Sequence, residues 1–146
     1  MSVLKLGLLL FAALVVQLTV FVDVRVFGVA PELLLLLGVV AGVLAGPERG
    51  ATIAFAAGLL WDVWLPSPLG LAAISFALVA FSVGSAGAGM LRDSRVQVAA
   101  LTTAGSAGGV IVYGLLGEVV GERGLVDLEL LRIAVVAGLI NGALAL

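Results

Sequence analysis

Six apolar runs broken only by short polar punctuation set the strongest limit on what this chain can become. The runs are about 3–22, 31–45, 51–65, 69–91, 96–119 and 128–146, and "DVRVFGVAPE", "GPERG", "PSP", "RDSR" and "GEVVGERGLVDLE" separate them. Of 146 residues, 63% are hydrophobic and only 11% charged, where a soluble domain carries about a quarter charged. A fold this small leaves much of its surface in water and cannot hide that much apolar side chain. The reading is an all-α polytopic membrane protein, with six transmembrane helices in a compact bundle. It forms a single integral domain over residues 1–146, with no room for a soluble one.

The punctuation carries helix-end chemistry. Pro31 suits a first helical turn, where its missing N–H costs nothing, and Glu32 then meets the positive end of the helix dipole. Gly46 followed by Pro47 reads as a stop. Ser67–Pro68 reads as an N-cap and first-turn proline, Asp93 or Ser94 as a cap for the fifth run, and Asp127 as a cap for the sixth. The N-terminal run has span length and lacks a small-residue cleavage site, so it reads as a retained helix and not a signal peptide. Runs two and three are short. About 15 residues at about 1.5 Å each reach about 23 Å, against about 30 Å of hydrocarbon. They must stand nearly upright, thin the bilayer or be sheltered by neighbours, with a re-entrant hairpin as the dissenting reading. Lys5, Arg49, Arg92 and Arg95 fall on one side; Arg25, Arg123 and Arg132 fall on the other. The bias places both termini in the cytoplasm.

Small residues recur at helical spacing. Gly38, Gly42 and Gly46 form a double G-x-x-x-G, and Ala134, Gly138 and Gly142 repeat the spacing in the last run. Ala100, Ala104 and Gly108 share a face of the fifth, with Gly105 and Gly109 beside them. In lipid such faces let backbones approach closely. They serve packing within the bundle, or docking of a partner's transmembrane helix. The small-rich "SVGSAGAG" (82–89) either packs tightly or kinks.

With no cysteine or histidine, disulfides, Cys/His metal sites and histidine catalysis are excluded. No nucleophile–base pair, paired acids or phosphate loop appears, so no enzyme and no cofactor is expected. Deep polar side chains are few: Gln17, Thr19, Thr102, Thr103, Ser106 and Asn141. A proton-coupled carrier needs an ionisable group at mid-depth. Asp62 in "GLLWDVWLPSPLG" is the one carboxylate in apolar company, and it sits at a run's end between Trp61 and Trp64, whose rings favour the interface. It has three readings: a solvated interfacial group, an acceptor for N–H groups freed in the following turn, or an ion pair with Arg132. Gly58, Asp62, Pro66, Pro68 and Gly70 form the structural motif of this corner.

The segment "PELLLLLGVVAGVLAGPERGATIAFAAGLLWDVWLPSPLGL" resembles the rod shape-determining protein MreD family. The resemblance rests on a proline-led apolar helix at Pro31 and a short turn at Gly46, Pro47 and Gly50. Gly58-Leu59 with Asp62, then Pro68-Leu69-Gly70, complete it. It covers about 40 residues in detail and the six-run layout beyond them. It implies a non-catalytic membrane scaffold of the elongasome that binds MreC and supports rod shape and lateral peptidoglycan synthesis. The implied company is MreC, RodA, a class B penicillin-binding protein, MreB and membrane lipid, with no nucleic acid, in the bacterial inner membrane. It also implies a fold similar to the S components of energy-coupling-factor transporters. The chain departs from the family pattern in its 6% aromatic content and in the last three runs, which carry no matching motif. Two other functions compete. A vitamin-capturing S component needs a small-residue docking face on the first run, where only the adjacent Ala12 and Ala13 stand, and ligand groups such as Asp62, Tyr113 and Glu118. A small proton-coupled carrier would rest on Asp62.

Overall fold

The structure is a computed structural model that describes residues 2–90 and 94–146. The described residues form six α-helices: α1 Val3–Thr19, α2 Leu33–Ala45, α3 Pro47–Asp62, α4 Leu71–Ala86, α5 Arg95–Val119 and α6 Leu128–Leu144. A 3-10 turn, Gly87–Gly89, extends α4. The expected end of the fourth run at Leu91, Arg92 of the charge bias and the Asp93 cap lie outside the described residues. Two helices, Leu71–Gly89 and Arg95–Val119, are long and apolar enough to cross a membrane, and α1 and α2 are shorter apolar helices.

Helix α2, continuous leucine and valine at its start, is the bundle's centre. Leu34, Leu35 and Val39 are almost fully buried. It packs against α3, α4 and α5, α3 pairs with α4, and α5 pairs with α6, while α1 rests lightly on α2 and α3. Connections this short make sequential helices antiparallel neighbours. We call the end at which α1, α3 and α5 finish and α2, α4 and α6 begin the distal end.

Small residues set the spacing of these pairs, as expected of packing in lipid. A Cβ on Gly38 would lie 2.9 Å from Ala54 Cβ, and one on Gly42 would run into the Ala80 carbonyl. Gly58 meets the backbone of Ala73, and Gly84 that of Pro47. Gly138 would meet the Thr103 carbonyl at 2.7 Å, Gly142 abuts the Thr103 hydroxyl, and Ala134 is buried. Five of the six expected interface residues therefore sit against neighbours in this same chain. Gly46 does not: nothing lies within 4 Å of its Cβ position, and its φ of 91° makes it the turn between α2 and α3. Only glycine takes that conformation readily.

Several boundaries shift. The tight turn of "GPERG" is confined to Gly46; α3 begins at Pro47 itself, with Glu48 in its first turn. Pro47 fits the first helical position and Gly46 alone makes the reversal. Helix α3 then ends at Asp62 because Pro66 disfavours helical backbone just before it. Pro31 precedes α2 and does not start it. Ser67–Pro68 does not cap α4, whose N-cap is Gly70 at φ 98°. Ser94 and Asp127 do cap α5 and α6, accepting from Gln97 N and Leu130 N. The segment 82–89 packs tightly at Gly84 and then tightens into the 3-10 turn.

Candidate functional site: the distal corner and its cavity

Asp62 is 3% exposed, and its carboxylate accepts three peptide N–H bonds. Oδ2 takes Gly70 N at 2.9 Å and Ala73 N at 3.1 Å; Oδ1 takes Ala72 N at 3.0 Å. A helix leaves its first N–H groups without partners, and here each one is accounted for. Leu71 N bonds Pro68 O, Ala72 N and Ala73 N bond Asp62, and Ile74 N bonds Gly70 O. Gly70 has no side chain to cap with, so the last residue of α3 caps α4 from across the turn. The negative carboxylate also faces the positive end of the α4 dipole. Gly58, one turn earlier, lets α3 approach the start of α4 closely enough for the reach. Among the described residues the alternative reading, an Asp62–Arg132 ion pair, is not formed: the carboxylate is engaged by three N–H donors and Arg132 pairs with Glu129 on its own helix.

The turn around this cap is held from α5. Tyr113 Oη donates to Ser67 Oγ at 2.9 Å. The two tryptophans part company: Trp64 is 61% exposed at the rim, while Trp61 turns inward and lines a cavity.

The same device recurs at the other two distal connections. Gln17, on α1 and buried, accepts from Leu34 N at 3.1 Å through Oε1 and so caps α2. Glu118 Oε1 accepts from Leu125 N at 2.8 Å and Val126 N at 3.2 Å, organising the turn before α6. The sequence marked Glu118 as a ligand candidate; the structure uses it to hold backbone. Residues 20–32 fold back through a tight turn, with Val26 and Val29 exchanging both backbone bonds and Phe27 and Gly28 at φ 52° and 82°.

Between α1, that returning segment, α3 and α6 lies a cavity of about 410 Å³. Its polar wall is Gln17, Arg25 and Glu32; Phe21, Trp61 and Ile133 are among its apolar lining. A smaller cavity of about 140 Å³ lies beside it, and Glu32 and Trp61 line both, with Tyr113 in the second. Behind the Glu32 backbone, Asn141 Nδ2 donates to Ser106 Oγ at 3.0 Å and, at 3.5 Å, to Glu32 O. Asn141 Oδ1 and Thr102 Oγ1 are buried without a hydrogen-bond partner among the described residues. Glu32 was read from sequence only as an acid at a helix start, and Trp61 only as an interfacial ring. Their convergence with Gln17 spans 45 positions and has no local signature. Gln17 alone gave a signal, as the one amide in an otherwise apolar run.

A third concavity, about 370 Å³, is a nearly all-apolar groove between α4 and α5 lined by Leu78, Ser82, Ala86, Leu101, Ala104 and Gly108, among others. No neighbour lies within 4 Å of a Cβ placed on Gly108. Among the described residues, Gly108 is the point of this face that no neighbour fills.

No curated protein matches the chain, and no solved structure does. The family model of the rod shape-determining protein MreD matches residues 2–123. That span takes in the α2–α3 turn, the Asp62 corner, the cavity-lining residues of α1 to α3 and all of α5, and the chain belongs to the rod shape-determining protein MreD family.

Proposed function

We propose that this chain is a non-catalytic membrane scaffold of the elongasome that holds MreC by its transmembrane helix and so supports rod shape and lateral peptidoglycan synthesis. The family is one of shape-determining membrane proteins; the partner, the docking face and the place in wall synthesis are our reading. The observation that carries it is the apolar α4–α5 groove, which presents Ala104 and Gly108 where another backbone can approach. Association in lipid is driven by such close packing. RodA, the class B penicillin-binding protein and MreB then join through MreC or beside it. In this reading all six helices are embedded, with the termini in the cytoplasm, and the bundle follows the S-component plan. The short α2 and α3 are sheltered by longer neighbours instead of spanning alone.

The test is co-expression with MreC and purification in mild detergent. Wild type retains MreC. Gly108→Leu fills the groove from a position with open space at its Cβ, so it is expected to change the melting temperature little and to lose MreC. Failure of the wild-type pair to co-purify, or full retention by Gly108→Leu, overturns the docking assignment.

A further inference from the structure

The distal cavity holds charges that the chain does not use. The carboxylate of Glu32 takes no hydrogen bond or ion pair among the described residues; only its backbone carbonyl is engaged. Gln17 spends its oxygen on the α2 cap, and its amide nitrogen has no partner among the described residues, although the residue is only 5% exposed and lines the cavity. Arg25 lines the same cavity, with a single contact of 3.5 Å to Gly28 O. The two opposite charges share one chamber and do not close on each other. The chamber therefore presents one acid and one base that no group of the described residues pairs, a pattern that suits a ligand supplying both counter-charges.

We propose that this cavity binds a zwitterionic headgroup, with its ammonium between Glu32 and Trp61 and its anionic group at Arg25. A carboxylate beside an aromatic face is the pairing that recognises ammonium groups. The amide of Gln17 points a donor at the bridging oxygens between them. About 410 Å³ is within the range of small-ligand sites. The source is a membrane lipid of the phosphatidylethanolamine type. Leu8, Phe11 and Val15 form an exposed apolar stripe along α1 that leads to Leu18 and Val22 in the cavity wall, a track for acyl chains.

The experiment uses the full chain, purified in detergent and stripped of lipid. Native mass spectrometry follows titration with phosphatidylethanolamine or with phosphatidylglycerol, which has the phosphate and lacks the amine. Wild type binds the former more tightly, and Glu32→Gln weakens that binding by about tenfold while leaving phosphatidylglycerol unchanged. Arg25→Gln, at an exposed position, weakens both and serves where Glu32→Gln does not fold. Soluble phosphoethanolamine is tested by thermal shift. Stabilisation by it, lost in Glu32→Gln, keeps the chemistry and makes a free zwitterion the source; response to the lipid alone keeps the lipid. Equal wild-type affinity for the two lipids, or a preference that survives Glu32→Gln, overturns the proposal.

Discussion

Asp62 shows how one residue can fix a corner. Replacing it with alanine strands three N–H groups inside the bundle, each worth about 1–3 kcal/mol when left without a partner. Asp62→Ala is expected to lower stability by about 3 kcal/mol or more, read as a lost or strongly depressed melting transition in detergent. Asp62→Asn keeps one acceptor oxygen and is expected to be milder. The α4–α5 groove is not lined by Asp62 or the turn it caps, so under the docking proposal a surviving Asp62→Ala protein is expected to hold MreC in proportion to its folded fraction. Gln17 does a smaller version of the same task. Gln17→Leu removes the α2 cap and keeps the volume, and is expected to cost about 1 kcal/mol, the usual size of a lost N-cap.

At the scale of helices, the recurring element is an odd-numbered helix that ends on a side-chain acceptor for the backbone beyond it. Gln17 serves α2, Asp62 serves α4, and Glu118 serves the turn into α6. The proximal connection between α2 and α3 needs no such help, because Gly46 and Pro47 make it with backbone alone. Helix pairs are then drawn together at glycines. Gly58→Ala would place a methyl group against the backbone of Ala73 and push α3 off α4, disturbing the Asp62 cap at the same time. Its expected effect is a loss of melting temperature close to that of Asp62→Ala, and the double variant should lose little more, since the two act on one contact.

For the whole molecule, the two proposals occupy different places: a groove along α4 and α5 for a partner helix, and a chamber at the distal end for a zwitterion. Occupancy of the chamber ties α1, α3, α6 and the returning segment together. A bound zwitterion would add stability that grows with the logarithm of its concentration and would leave the groove free. The sequence alone was enough for an all-helical membrane protein, for six helices near their observed places, and for the family through its α2-to-α4 stretch. Apolar run length, proline and glycine punctuation and small-residue spacing are local properties, and they survive into any fold. It also held the acceptor role of Asp62 as one of three readings. Which reading held was decided by tertiary structure, because the choice between Arg132 and the α4 N–H groups depends on where the chain turns after Leu65. The same holds for the turning inward of Trp61, the capping of α2 by Gln17, the chamber shared by Glu32 and Arg25, and the face of small residues left open on α5. Each is a meeting of groups distant in sequence, and only the packing of helices brings them within reach.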